Sequence, residues 1–437
     1  MARGLHFGSG RRALAPKVHR NLPILLVRGS LKSIKRSLMF ASSFPLIVHC
    51  HLRWNFVWQR PQQFLSRLSN KHRVLFVEGP ILHDEEMEPY FTLTSAPNYP
   101  HVTVMETHFP SSRFSDGAWV DVQRRRLLDE ALRGPLKGKF ESPVQWFYDP
   151  MAVGAHLGHH NPIATVYDCM DELSQFADGT AAIVERERQL LAAADVVFAG
   201  GRKMWQAKSR HNSNAHFYGC GVDVVHFGKA RLSSTPLPED VRDLKGPILG
   251  YFGVVDERLD YDLIAQLAAA RPDWHIVMVG PTAKVDPAKF PQAPNLHWLG
   301  GRDYSQLPAY TKAFDMALMP FALNAATEYI NPTKALEYMA TATPIVSTPV
   351  PDVVSNFASV VKISQNSDEF VQMCAGQVTQ IDKMAVERGL KMANENTWDA
   401  IVAKLEKHIE EAIVRKIAKQ KALQVSSAPT RIAASAA

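Results

Sequence analysis

The chain has 437 residues, with 49 Lys and Arg against 43 Asp and Glu, a formal charge of +6. Nine basic side chains and no acidic one fall in residues 1–39 (Arg3, Arg11, Arg12, Lys17, Arg20, Arg28, Lys32, Lys35 and Arg36), which leaves 40 basic against 43 acidic groups in the rest. A slightly acidic body excludes a general nucleic-acid binder. A content of 46% hydrophobic and 21% charged residues excludes a disordered chain. No apolar run approaches the roughly 18–20 residues of a membrane helix.

Taken in order, residues 1–40 read as a disordered basic extension of Gly, Ser, Pro and Arg. Three readings are open for it: a targeting segment, a basic anchor on a membrane surface, or translated sequence upstream of a start at Met39. A βα rhythm then begins. Apolar, β-branched runs at Pro45–Cys50, Arg73–Glu78, His101–Glu106, Val144–Tyr148, Ala164–Asp168 and Asp195–Ala199 read as strands. Helical patterns lie between them, clearest at Pro61–Ser69, Trp119–Leu132 and Ala181–Ala194. This alternation predicts a parallel sheet with helices on both faces, in a first domain over 41–222. A stretch rich in Ser and Pro at 233–238 separates it from a second βα series. There, strands are expected at Pro247–Phe252, His275–Val279, Leu296–Leu299, Met316–Met319 and Pro344–Ser347, in a second doubly wound domain over 223–395. A helix over 396–420, apolar at Ile401, Val402, Leu405, Ile409, Ile413 and Ile417, is expected to dock on the body, and 421–437 to fray. Cys50, Cys169, Cys220 and Cys374 are 119, 51 and 154 residues apart, a spacing that predicts reduced thiols in a cytoplasmic protein.

Some motifs reduce to local structure. The letters of a dinucleotide fingerprint at Gly8–Ala13 follow no strand. His156, His159 and His160 have helical spacing for a metal but no acidic or thiol neighbour, and read as solvated or capping histidines. Asp260-Tyr261-Asp262 has a D-x-D spacing, yet it opens an apolar helical run and reads as a helix cap. No metal site is expected.

Others point to chemistry. In Gly250–Asp260 (GYFGVVDERLD) a strand ends in Gly253 and a turn carrying Arg258 leads to a helix start. Small residues and an arginine there suit a diphosphate, because ligands of open α/β sheets lie beyond the carboxyl ends of the strands. Arg258 could equally pair with Asp256 or Asp260. In Asn324–Ser347 (NAATEYINPTKALEYMATATPIVS), Asn331 can cap a helix whose first residue is Pro332, followed by Thr333. Lys334 and Glu337 then share a helix face, as a phosphate and ribose clamp or as a surface ion pair. In the first domain, His49, His51, Arg53 and Trp54 close the first strand, and Trp54, Phe56 and Trp58 suit stacking on a sugar. Arg60 opens the next helix, and Asp168 and Asp171 lie at another strand's carboxyl end; any of these residues could instead cap a helix or pack between domains.

HCHLRWNFVWQRPQQFLSRLS, VYDCMDELSQF, GCGVDVVHF, GYFGVVDERLDYDLI and NPTKALEYMATATPIVS, in that order, resemble bacterial glycosyltransferases of family 4. Among these, the enzymes of extracellular and envelope polysaccharides, including the teichuronic-acid type, are the most similar. The resemblance covers about 44–410 and implies the GT-B fold, two Rossmann-like domains facing a cleft. It implies a retaining transfer, without metal or other cofactor, from a nucleoside-diphosphate sugar of the UDP or GDP type to a glycan or lipid-linked acceptor. Glu337 would bind ribose, Lys334 and Arg258 the diphosphate, and Gly253, Asn331, Pro332, Thr333 and Glu328 would line the donor site. His49, His51, Arg53, Trp54, Arg60, Asp168 and Asp171 would face the acceptor. One departure is visible: the family commonly has seven residues between two glutamates, but Glu328 and Glu337 have eight, with Tyr329 at the expected first position. A sugar-nucleotide epimerase on the same fold and a non-catalytic glycan-binding scaffold remain as alternatives. The basic extension adds an expectation of contact with anionic lipid on the inner face of the cytoplasmic membrane.

Overall fold

The computed structural model describes residues 43–56, 58–173, 181–328 and 330–426. The basic extension and residues 427–437 lie outside the described residues, as does Tyr329.

The first domain is built on β1 (Leu46–His49), β2 (Val74–Val77), β3 (Ile81–His83), β4 (Tyr90–Ser95), β5 (Val102–Pro110), β6 (Val144–Phe147), β7 (Ala164–Cys169), β8 (Val196–Ala199) and β9 (Ala215–Phe217). Their spatial order is β3-β5-β2-β1-β6-β7-β8-β9, with β4 pairing β5 antiparallel and the other pairs parallel. Every residue of β1, β2, β6, β7 and β8 is buried, because helices cover both faces. The second domain holds β10 (Ile248–Phe252), β11 (His275–Val279), β12 (Leu296–Gly300), β13 (Met316–Met319), β14 (Ile345–Ser347) and β15 (Lys362–Ile363), all parallel, in the order β12-β11-β10-β13-β14-β15. Each order reverses at its first strand: β1 lies between β2 and β6, and β10 between β11 and β13. Ligand crevices of such sheets open beyond the carboxyl ends of the strands at that reversal.

Four strands escape the periodicity reading. β3, β9 and β15 are short, β4 is polar at alternate positions, and all four are partly exposed at or near sheet edges, so their hydrophobic signal is weak.

The chain passes between the domains twice, side by side. Val222 N–H donates to Asn396 O at 3.0 Å, and Trp398 N–H donates to Val222 O at 3.3 Å. Gly221 is required at this crossing, since a Cβ there would lie 2.8 Å from Trp398 N and 2.9 Å from its ring. Helix Trp398–Ser426 then lies on the first domain and runs past the expected end near 420. Ile401, Leu405, Ile409 and Ile413 are buried under it. Phe64 meets Trp398 edge-on at 5.5 Å, Tyr218 Oη lies 2.8 Å from His408 Nε2, and Lys416 pairs with Asp195 at 2.9 Å.

Helix Arg60–Leu68 starts with a capping box between Gln59 and Gln62 and with Pro61 in its first turn. Its first side chain is buried. Arg60 Nε donates to both oxygens of Asp168 at 3.0 and 3.2 Å, Nη2 lies 2.8 Å from Oδ1, and Nη1 donates to Tyr218 O at 2.6 Å and Gly219 O at 3.3 Å. One guanidinium thus ties the helix, the end of β7 and the interdomain linker. Arg60 and Asp168, expected at the acceptor, are instead committed to each other, with side chains 3% and 0% exposed. Burial pushes the Asp168 carboxyl up, and Arg60 opposes that shift. Arg60→Ala would leave a buried carboxylate without its partner and should cost about 3–5 kcal/mol, read as a lower urea midpoint. Paired replacement, Arg60→Met with Asp168→Leu, should recover most of it.

Candidate functional site

The two sets of strand ends face one cleft of about 1080 Å³. Arg60, Asp171 and Cys220 line it from the first domain, and Gly253, Arg258, Lys334 and Glu337 from the second.

The second-domain wall is shaped by two glycines. Gly253 follows β10 with φ +140°, and a Cβ there would fall 2.0 Å from Lys334 Cε and 2.5 Å from Nζ. Gly280 follows β11 with φ +156°, and its Cβ would collide with Gly253 O at 1.8 Å. Only glycines at both positions leave room for the lysine to lie against the strand end, its Nζ 5.3 Å from the Tyr251 ring centre. Phe252 N–H donates to Tyr338 Oη at 2.9 Å, which fixes helix Lys334–Thr341 against β10.

That helix begins at Lys334, not at Pro332, and Asn331 does not cap it. Asn331 Nδ2 donates to Gly200 O across the cleft at 3.2 Å, and the residue flanking the helix, Thr333, has helical dihedrals. No side chain caps the helix, so its first N–H groups lack a side-chain acceptor beside Lys334. Burial and neighbouring Arg258 push the Lys334 ammonium down, while Glu337 pulls it up. Burial raises the Glu337 carboxyl, opposed by Lys334. The two share a recess without touching as an ion pair, so an anion beside the lysine would add favourable charge.

Of its two open partners, Arg258 takes Asp256: Nε lies 3.0 Å from both carboxylate oxygens and Nη2 2.6 Å from Oδ2. Burial alone would lower the guanidinium, but the Asp256 hydrogen bonds raise it. Asp260 accepts from Leu263 N–H at 2.9 Å and caps helix Tyr261–Ala270, as the D-x-D segment was expected to do. Glu328 turns to the first domain and pairs with Lys203. Pro332 and Thr333 line the cleft.

The first-domain expectations need more correction. His49 is buried and faces away from the cleft, its ring stacked on His156 at 4.2 Å. Its direction follows from β1: alternate residues of a strand point to opposite faces. His51 is not part of the cleft lining. Arg53 pairs with Glu78 at 2.9 Å, and Trp54 is buried, its N–H donating to Glu78 Oε1 at 2.7 Å. His156, expected in solvent or at a cap, is buried, and His160 has φ +66°, so the three histidines share no helix face. Among the described residues no group of three or more His, Cys, Asp and Glu could hold a metal. Asp171 reaches the cleft, as does Trp58. Tyr99 and Tyr304 also line it and were not legible, because Tyr99 comes from a turn and Tyr304 from a short 3-10 helix, both outside the motifs. Cys50, Cys169, Cys220 and Cys374 are all unpaired, and all but Cys220 are buried.

The fold is GT-B. Sucrose-phosphate synthase from Thermosynechococcus elongatus superposes with a TM-score of 0.64 at 13% identity, over 88% of this chain and 100% of that one. The Escherichia coli trehalose-6-phosphate protein bound with UDP-2-fluoro glucose gives 0.61 at 12% identity, over 84% and 99%. The α,α-trehalose-phosphate synthase (UDP-forming) from Burkholderia xenovorans, in complex with glucose-6-phosphate, gives 0.61 at 11% identity, over 84% and 100%. Within this fold, residues 247–377 match the family model for glycosyl transferases group 1, and the second domain is a glycosyltransferase group 1 domain. TuaH of Bacillus subtilis (strain 168), named as a glycosyltransferase of teichuronic acid biosynthesis, is 26% identical over 259 residues, 54% of this chain and 64% of TuaH. The match spans just under two thirds of that relative.

The buried histidines have a consequence for stability. Burial, then Arg124 and His160, depress His49, while burial, then His49 and Arg124, depress His156. An unfolded histidine titrates near about 6.5, so below that pH the unfolded chain binds more protons than the folded one. Stability should be full above about pH 6.5 and fall below it, by up to about 1.4 kcal/mol per pH unit for each imidazole. Denaturant midpoints at pH 7.5 and 5 should show the drop, and His156→Phe should reduce it.

Proposed function

We propose that the protein is a retaining glycosyltransferase, moving a sugar from a nucleoside diphosphate to a glycan or glycolipid acceptor of envelope or extracellular polysaccharide. The observation that carries this reading is Lys334 held against Gly253 at an uncapped helix start, with Glu337 one turn on. The lysine and the helix N–H groups suit a diphosphate, and a buried carboxylate suits the ribose hydroxyls. In the reaction, the acceptor hydroxyl oxygen bonds to the anomeric carbon as the bond from that carbon to the β-phosphate oxygen breaks. The nucleoside diphosphate leaves, and its departing oxygen takes the hydroxyl proton. Lys334 and Arg258 stabilise the charge that develops on the diphosphate. This role for two cations requires no metal ion or other cofactor.

The four free thiols fit a reducing compartment, and we place the reaction in the cytoplasm. No helix among the described residues is long and apolar enough to cross a membrane. Contact with anionic lipid would rest on the basic extension.

A thermal-shift screen of UDP-, GDP-, dTDP- and ADP-sugars should find one donor that raises the melting point. With that donor, Lys334→Ala should lower kcat by about 10²–10³-fold with the fold intact by circular dichroism. Full activity in Lys334→Ala would remove the assignment. Glu337→Ala should chiefly raise the donor KM. Turnover should need an added acceptor, whereas an epimerase would convert the donor alone. Gly253→Ala should displace Lys334 and weaken nucleoside-diphosphate binding at least about tenfold, because neither the left-handed backbone nor the space admits a methyl group. Calorimetric titration with the matching nucleoside diphosphate checks it.

A further inference from the structure

The loop after β1 is rooted where it leaves the sheet. Glu78 accepts from Trp54 N–H at 2.7 Å and from Arg53 Nη1 at 2.9 Å, and the Trp54 ring is 2% exposed. On that base, Trp54 meets Trp58 edge-on at 5.9 Å and Tyr99 edge-on at 5.9 Å. Trp58 and Tyr99 then stack on each other, with ring centres 5.6 Å apart at 29°. Tyr99 is delivered by a turn in which Asn98 has φ +64°, between β4 and β5. Phe56, on the same loop as Trp58, is 64% exposed. All three of Phe56, Trp58 and Tyr99 line the cleft that holds Lys334 and Glu337.

Trp58 and Tyr99 are half-buried and packed on the buried Trp54 ring, and Phe56 stands exposed beside them. The same wall carries polar side chains, among them Gln59, Gln63 and Asn70. Aromatic faces flanked by amides match a sugar ring, which presents C–H bonds on one face and hydroxyls at its edge. A polyprenyl chain would call for a continuous apolar channel, whereas these rings share their wall with amides. We propose that Phe56, Trp58 and Tyr99 form an acceptor subsite that stacks on a saccharide ring, so that the acceptor already carries at least one sugar. The inference rests on the glycosyltransferase reading for the word acceptor, but the saccharide contact is measurable without it.

The test is saturation-transfer NMR on the full chain, in the presence of UDP and, separately, of GDP. The probes are cellobiose, chitobiose, galactobiose and a glucuronic-acid disaccharide, with farnesyl phosphate as the lipid arm. At least one disaccharide should receive saturation from aromatic protons. Its affinity should fall at least tenfold in Trp58→Ala and Tyr99→Ala, while Trp58→Phe keeps most of it and nucleoside-diphosphate affinity stays within twofold. Phe56→Ala, at an exposed position, gives a variant whose fold is not at risk and should weaken the same disaccharide several-fold. The inference is overturned if no disaccharide binds, if the variants bind as the wild type does, or if only farnesyl phosphate responds to them. Absence of binding to either nucleotide, with disaccharide binding intact, would count against the donor-site reading and leave the saccharide ledge standing.

Discussion

The buried pairing of Arg60 with Asp168 is the constraint from which the cleft takes its form. A guanidinium with almost no exposure must have its donors satisfied, and here they are shared among the end of β7 and two carbonyls of the linker. The helix that starts at Arg60 is thereby tied to the strand ends, and the linker is held where it passes them. The second domain begins directly after that held segment.

Other contacts bring the two domains together around the same opening. Asp352, in the second domain, accepts from Arg202 N–H at 2.7 Å and so acts as a cap for helix Arg202–Lys208 in the first. Lys203 of that helix pairs with Glu328, and Asn331 reaches Gly200. These links occupy two residues that sequence reasoning gave to the donor. Among the described residues, Lys334 and Glu337 are recessed in the second-domain wall with no ion pair, the condition under which a bound phosphate gains most.

The architecture was legible because its evidence is redundant: eleven apolar runs alternating with helical patterns define two parallel sheets even though four edge strands are missed. The second-domain wall was legible for a different reason. Gly253, Lys334 and Glu337 lie on the strand end and helix start that the local pattern identifies, so their neighbourhood is fixed by a few residues of chain. The first-domain assignments failed where long-range geometry decides. Nothing near His49 reveals that its ring faces His156, and nothing near Arg60 reveals an Asp 108 positions later. Trp54 and Trp58 belong to one motif, yet one is core and the other wall, a division set by Glu78 and Tyr99.

The paired crossings at Gly221 and Trp398 also bear on how the chain is made. With helix Trp398–Ser426 laid over the first domain, that domain is assembled from two segments separated by the whole of the second. Phe64, Tyr218 and Asp195 have their partners, Trp398, His408 and Lys416, beyond the second domain in the chain. The second domain is continuous in sequence and can fold before the first domain has all of its parts.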